Sequence, residues 1–471
     1  MKLLSEKSLQ RIILKNYKFK NMVPTTDFNI EKILKLYELQ ENPFDNLSIL
    51  KLNKSRSVYQ PTLKDRLIIS NMSINLKRYF KLNSSIRNDN IKSLKNIFSF
   101  EKNLTLIKLD IKSFYDNIPH ESLMLQIAKN RILNKEDLKL LKNYLKSNPH
   151  ITSGVHQGTE ISNILADIYM KSLDELIISL HPSTIFAKRY VDDIFIVFNK
   201  TLNGNEVASI LKCLTQHIEL KGLEFNTSKT EILSISIDTK KNHNYLDITT
   251  NETTFKKCRN INYSIYTYSI DKNNNLHKHY KKNATITYLG YRFSWKIIDD
   301  NVSFKIDISP KKLNKYRTRL YKMFLIFEKS IKKNNSQIHY NILRERISLF
   351  CSTYVLISNS SSKDSLVIGL SENYKYIHPY NEQIKSLVKL LKDKIFYIYK
   401  QKIINDDQLY ELMGIVIKYK SYVDLYNLDI NDFLVLVQSV YTTKISLSKF
   451  TNNYHKKKHL TYLYMNAIKI S

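Results

Sequence analysis

Glycine is scarce in this chain. Seven occur in 471 residues, and none stands in a GxxxxGK[ST] or GxGxxG context. P-loop and Rossmann phosphate cradles, which need glycine where the backbone approaches phosphate, are therefore excluded. Any nucleotide chemistry must rest on metal ions and basic side chains. Cysteine is scarcer still: Cys213, Cys258 and Cys351 lie far apart and form no CxxC pair. Neither a zinc site nor a disulfide framework is expected, which fits a reducing cytoplasm. No apolar run approaches the roughly 18–20 residues that span a bilayer. Residues Met1–Glu6 carry no apolar signal core. A cytoplasmic protein with no membrane partner is the expectation.

Acidic residues are also few, 43 Asp+Glu against 74 Lys+Arg, for a net charge of +31. Only 13 of the basic residues are arginine. An A/T-rich coding sequence would favour lysine in that way, so total charge alone does not establish a nucleic-acid partner. The distribution says more. Residues 51–100 carry +9 and residues 301–400 carry +12, whereas residues 101–200 carry only +1. Codon bias alone would give a flatter profile, and a polyanion is the natural partner of two basic blocks. A hydrophobic content of 43% supports packed cores, and the length suggests two to four domains at roughly 100–200 residues each.

The first 50 residues read as helical and mixed in character. Ser57-Val58-Tyr59 and Arg66–Ser70 read as strand-like. Thr105–Asp110 alternates apolar and polar residues, as a half-buried strand does. Residues 120–147 read as helical. Ser162 is a candidate N-cap for a helix reaching about Leu180. Residues 203–221 return to helix, and residues 235–283, rich in Asn, Lys and Thr, read as an inserted, partly exposed hairpin or loop. Ser309-Pro310 forms an N-cap/N1 pair. The helix it opens turns Leu313, Tyr316, Leu320 and Phe324 inward and basic residues outward. Helices dominate after residue 380.

Two apolar, β-rich runs flank Asp192-Asp193, the pattern of a hairpin with carboxylates at its tip. Asp110 ends a strand 82 residues earlier, so the acids can meet only through the fold. Adjacent strand residues face opposite sides, so at most one of the pair turns fully toward a metal. A carboxylate from each of two neighbouring strands suits a pair of Mg²⁺ ions, which take one or two carboxylates plus substrate phosphates. An isolated Asp at a strand end is ordinarily a turn or cap residue. The long apolar flanks set this tip beside a core instead.

Five segments together resemble the reverse transcriptase family. Lys108–His120 resembles its first palm motif and Gly154–Tyr169 its second. Arg189-Tyr190-Val-Asp192-Asp193 resembles the catalytic box, Gly222–Thr230 the fourth motif and Tyr288–Phe293 the primer grip. All five stand in the family's order. The resemblance implies an α+β, right-hand polymerase with fingers, a palm of antiparallel sheet plus helices, and a helical thumb. It implies metal binding by Asp110, Asp192 and Asp193 with the Ile111 carbonyl. Two Mg²⁺ ions are implied as cofactors, with Mn²⁺ as substitute. Lys229 would act near the pyrophosphate as general acid. Tyr115 would block a ribose 2′-hydroxyl, Gln157 and Gly158 would line the nucleotide pocket, and Lys64 and Arg66 would contact the triphosphate. Tyr288, Leu289 and Gly290 would grip the primer. Lys311, Lys312, Lys315 and Arg319 on the thumb would bind nucleic acid.

The domain expectation is an N-terminal extension over 1–50, fingers and palm over 51–308 with an insertion at about 235–283, a thumb over 309–400, and a helical C-terminal region over 401–471. No HNH-type His/Cys cluster or RNase H carboxylate set is evident. Ser309-Pro-Lys-Lys312, Arg344–Phe350 and Ile368–Tyr374 resemble bacterial retron-like and defence-associated (abortive-infection) reverse transcriptases, class 3 among them. The implied function is RNA-directed DNA synthesis from dNTPs in antiphage defence, with an RNA template or structured non-coding RNA, a DNA product, and a partner protein or second copy. Template-independent or protein-primed synthesis, RNA-dependent RNA polymerisation, and non-catalytic nucleic-acid binding are the alternatives.

Overall fold

The computed structural model describes residues 3–15, 30–39, 43–44, 48–53, 56–82, 87–147, 152–239, 261–271, 276–298, 301–331, 336–357, 365–378, 381–418, 421–441, 443–448, 450 and 452–469. Two units emerge: Met1–Leu9 with Asn29–Ile306, and Gln10–Phe28 with Asp307–Ser471. Among the described residues no helix is long and apolar enough to cross a membrane.

The first unit is mixed α and β. Its elements begin with the start of α1 (Glu6–Lys15), whose residues from Gln10 on belong to the second unit, then α2 (Ile30–Leu39), the hairpin β1 (Ser48–Asn53) and β2 (Arg56–Gln60), α3 (Leu63–Tyr79), α4 (Arg87–Phe100) and β3 (Leu104–Asp110). There follow α5 (Phe114–Asn117), α6 (His120–Lys129), α7 (Lys135–Leu145), α8 (Glu160–Ser179), β4 (Thr184–Tyr190), β5 (Asp193–Phe198) and α9 (Gly204–Glu219). Then come β6 (Glu231–Thr239), β7 (Ile261–Ile270), β8 (Leu276–Lys281), β9 (Asn283–Tyr288), β10 (Tyr291–Ile298) and β11 (Asn301–Ile308).

The central sheet has the order β4-β5-β3-β6-β7-β8, with every ladder antiparallel. All seven residues of β3 are buried. A strand covered on both faces is the stiffest place in such a sheet, and it carries Asp110. Helix α8 buries Leu165, Ile168, Tyr169, Leu173 and Ile177 and contacts β4. An aromatic cluster, Phe98 with Phe293, Trp295 and Phe304 at centroid distances of 5.0–5.6 Å, joins α4 to the β9–β10–β11 sheet.

Three local readings change. Arg66–Ser70 lies inside α3, because Thr62 caps a helix through its side chain and seventeen residues continue from it. Helix α8 starts before Ser162, with Thr159 at the N-cap. Ser162 Oγ instead donates to the His156 carbonyl at 2.6 Å, pinning the preceding loop. Within 235–283, the described residues form β6–β8 and extend the central sheet. Residues 240–260, Cys258 among them, and 272–275 lie outside the described residues.

The second unit is largely helical: α10 (Pro310–Ile331), α11 (Ser336–Cys351), α12 (Leu370–Asn373), α13 (Glu382–Lys400), α14 (Asp406–Ile417), α15 (Ile430–Ser439) and α16 (Asn453–Ile468). The Ser309 carbonyl receives the Lys312 and Leu313 N–H groups at 3.0 and 2.9 Å, as its position before Pro310 predicts. Leu313, Leu320 and Phe324 are buried, and Tyr316 is half-buried. A small sheet absent from the sequence reading, β13-β12-β14 (β12 Thr353–Ile357, β13 Ser365–Ile368, β14 Tyr422–Asp424), packs through Tyr354 and Leu356 on Phe433, Leu460 and Tyr464. Buried Glu345 accepts the Tyr464 hydroxyl at 2.6 Å.

Candidate active site

Asp110 and Asp193 are register partners across the β3–β5 ladder. Asp192 lies in the two-residue connection between β4 and β5, and its carbonyl accepts the Ile111 N–H at 3.1 Å. The backbone leaving β3 is thus clipped to the hairpin tip, and three carboxylates converge at one end of the sheet. Burial, reinforced by the charge of Asp192 and then of Asp110, pushes the Asp193 carboxyl up from 3.8 to about 6. Crowded carboxylates of this kind are stabilised by a cation.

The donors are all oxygens, counting the Ile111 carbonyl, and suit a hard ion such as Mg²⁺. Among the described residues no three His, Cys, Asp or Glu side chains already form a metal cage. Two carboxylates with substrate phosphates completing the shell is the usual Mg²⁺ arrangement.

The cation nearest Asp110 is the protein's own. Lys229, in the 3₁₀ turn Thr227–Lys229, donates to Asp110 Oδ2 at 2.8 Å. That hydrogen bond raises the Lys229 pKa, with the charges of Asp110, Asp192 and Asp193 adding to it. The turn is held by Asn226 N–H on the Asp110 carbonyl at 2.7 Å.

Tyr115 stands in the four-residue helix α5, directly after Ser113 at φ +46°. Its phenol donates to Asn163 Oδ1 on α8, and its carbonyl accepts the Val155 N–H at 2.8 Å. Gln157 Nε2 donates to Asp116 Oδ1 at 2.9 Å. The Gly154–Gly158 loop is thereby stitched to the Tyr115 turn. Gly158 has φ +98°, and a Cβ there would meet Val58 Cγ1 at 2.2 Å, so β2 can cross this loop only above glycine. Next to it, buried His156 contacts the Tyr144 carbonyl at 2.8 Å and packs against Tyr59 with tilted rings 4.2 Å apart; burial lowers its pKa to about 4. A cavity of about 1110 Å³ opens beside Tyr115, Asn163, Tyr190 and Val191.

The remaining expected residues lie on other elements. Lys64 and Arg66 occupy the first turn of α3, exposed and half-buried. The primer-grip segment is the hairpin β9–β10, whose two-residue turn, Leu289-Gly290, has φ +48° and +86°. Tyr288 is buried against Phe195 at 4.7 Å, leaving the turn itself as the accessible part. Arg87 fixes that turn through the Leu289 carbonyl at 2.9 Å. In the second unit, Lys311, Lys312, Lys315 and Arg319 are all exposed on α10.

Sequence reasoning assigned no role to Asn163 or Arg189. Arg189 precedes the acidic box by three residues, yet its side chain is only 4% exposed. Its partners, Asp174 and Asp167, lie on α8. Seven residues apart, those two acids face the same side of a helix, which was the available signal. Val191 has φ +62°; a β-branched residue there costs about 1–3 kcal/mol and persists only when its surroundings hold it.

The family model described as reverse transcriptase (RNA-dependent DNA polymerase) matches residues 49–293. No curated protein matches significantly. Similar solved structures include apo telomerase from Candida tropicalis truncated from its C-terminal domain, at 15% identity and TM-score 0.33, covering 56% of this chain and 56% of that one. Telomerase from Candida albicans in complex with a TWJ fragment of telomeric RNA matches at 12% identity and TM-score 0.36, covering 98% of this chain and 62% of that one. This chain therefore spans less than two thirds of either telomerase.

Proposed function

Because the chain belongs to the reverse transcriptase (RNA-dependent DNA polymerase) family, we propose that it extends a 3′-hydroxyl with deoxynucleotides on an RNA template. The observation that carries this reading is the meeting of Asp110, Asp192 and Asp193 at one sheet end, with Lys229 on Asp110. Asp110 and Asp192, with the Ile111 carbonyl, would hold two Mg²⁺ ions, and Asp193 would support them. Bound there, the ions supply activation of the hydroxyl and stabilisation of the departing pyrophosphate.

The protein's own groups do the rest. Lys229 keeps its proton at Nζ and offers it toward the leaving phosphate oxygen. Tyr115, steadied by Asn163, sets the sugar's position and leaves no room for a 2′-hydroxyl. Gly158 lets β2 and the Gln157 loop close on one another, which fixes the wall against which a base would sit. Leu289-Gly290, held by Arg87, is the part of the primer grip that a primer can touch.

The basic residues of α10, Lys311, Lys312, Lys315 and Arg319, would hold the nucleic-acid backbone with little sequence preference. Lys64 and Arg66 would meet the triphosphate. An antiphage role in a bacterial cytoplasm, with a dedicated structured RNA, is the setting we infer from the Ser309–Lys312, Arg344–Phe350 and Ile368–Tyr374 patterns.

The test is incorporation of dNTPs against NTPs with Mg²⁺, together with sequencing of nucleic acid that copurifies with the protein. DNA synthesis on an enriched RNA supports the reading. NTP preference would make the enzyme an RNA polymerase, and synthesis without template would replace the templated reading.

A further inference from the structure

The Arg189 guanidinium joins the acids of α8 to the turn of the acidic hairpin through the hydrogen bonds that follow. Its Nε donates to Asp174 Oδ1 at 2.7 Å and its Nη2 to Asp174 Oδ2 at 2.8 Å, a two-pronged fork. Nη2 also reaches Asp167 Oδ1 at 3.0 Å. The fourth bond runs the other way along the hairpin: Nη1 donates to the Val191 carbonyl at 2.9 Å. Burial raises the Asp167 pKa, and Arg189 counters this. A guanidinium is suited to such a position, because it is planar, permanently charged and able to satisfy three acceptors at fixed angles.

The fourth bond matters most. Val191 sits at φ +62°, where a β-branched residue is strained, and it immediately precedes Asp192 and Asp193. The turn is anchored to β3 by Ile111 N–H on the Asp192 carbonyl, and to its own strand β4 by Arg189 on the Val191 carbonyl. Through Asp174 and Asp167, Arg189 extends the second tie to α8, the helix that also carries Asn163, and so to Tyr115.

We propose that Arg189, braced by Asp174 and Asp167, is a positioning residue that holds Val191 in its left-handed conformation and thereby sets where Asp192 and Asp193 present their carboxylates to divalent cations. It touches neither substrate nor metal. This inference rests on the polymerase reading for its catalytic arm only.

The test measures Mn²⁺ binding to the free protein by electron paramagnetic resonance, alongside kcat, dNTP KM and the Mg²⁺ requirement. Arg189→Gln is expected to weaken Mn²⁺ binding by about tenfold, the order of one lost charge-assisted hydrogen bond. It should lower kcat similarly with dNTP KM unchanged within about twofold. Adding Val191→Gly, which accepts positive φ freely, should recover at least about threefold of the Mn²⁺ affinity. A merely structural Arg189 would show no such rescue.

Wild-type Mn²⁺ binding in Arg189→Gln, or no recovery in the double variant, overturns the proposal. Should Arg189→Gln not fold, Asp167→Asn removes one charged contact and keeps the Asp174 fork. It is expected to shift Mn²⁺ binding about threefold in the same direction, and unchanged binding in that folded variant also overturns the proposal. If the wild type binds Mn²⁺ yet polymerises nothing, the polymerase reading fails while the Mn²⁺ arm still decides the role of Arg189.

Discussion

Lys229 Nζ lies 2.8 Å from Asp110 Oδ2, an ion pair between a side chain 59% exposed and one 9% exposed. An exposed lysine therefore reaches in to a nearly buried carboxylate. The same geometry serves a counter-charge or a general acid, and the two roles separate by substitution. As general acid, Lys229 should be replaceable by neither Met nor Arg, since arginine keeps the charge but does not release a proton near neutral pH. Both Lys229→Met and Lys229→Arg should lower the incorporation rate by about 10²-fold or more. Full activity in Lys229→Arg, measured by single-nucleotide extension, would restrict Lys229 to a counter-charge.

The raised Asp193 pKa gives a pH dependence with a definite sign. The folded protein holds this proton up to about pH 6, the unfolded chain only to about 3.8. The folded state thus binds more protons between these values, and the contribution of Asp193 to stability falls as pH rises through that window. Asp193→Asn should therefore raise the metal-free melting temperature at pH 7–8 by a few degrees and change it little near pH 4. Thermal melts at the two pH values check this. Protons and cations also compete for the site, so Mn²⁺ affinity should weaken as pH drops below about 6.

Tyr115 and its Asn163 partner predict sugar selectivity. Tyr115→Ala should reduce discrimination against ribonucleotides by about 10²-fold, read as the ratio of kcat/KM for dNTP and NTP. Asn163→Ala leaves the ring in place without its tether and should reduce the ratio by less. An unchanged ratio in Tyr115→Ala would remove Tyr115 from the nucleotide pocket.

Gly158 and Gly204 make a matched pair for stability. At Gly158, positive φ and the contact with Val58 Cγ1 both oppose a side chain, so Gly158→Ala should destabilise the protein by about 1–3 kcal/mol. At Gly204, the first residue of α9, nothing lies within 4 Å of an added Cβ. Gly204→Ala should be neutral or stabilising by up to about 1 kcal/mol. Denaturant midpoints for the two variants check both.

What was legible in the sequence follows physical range. Alternation made β3 readable as a strand but wrongly as a half-buried one, since neighbours on both faces bury all seven residues; the apolar flanks of Asp192-Asp193 made the hairpin readable, because turn chemistry is local. Helix α8 was readable in extent but not in its start, since Thr159 and Ser162 can both serve as caps and both hydroxyls turn back to the His156 carbonyl. Arg66–Ser70 misled because a short apolar run fits strand or helix until its cap at Thr62 is counted. The joining of β6–β8 to one sheet, the Arg189 fork to α8, and the burial of Tyr288 depend on partners distant in sequence. Apart from the seven-residue spacing of Asp167 and Asp174 on α8, no local pattern announces them.

The central claim is that Asp110 and Asp192 form one cation-dependent nucleotidyl-transfer site. Extension of a DNA primer on an RNA template with Mg²⁺ and dNTPs, by the wild type and by Asp110→Asn, tests it most directly. The account predicts extension by the wild type and a loss of about 10³-fold or more in Asp110→Asn, about 4 kcal/mol in the barrier, with primer–template affinity preserved. Extension by Asp110→Asn within about tenfold of the wild type would contradict it.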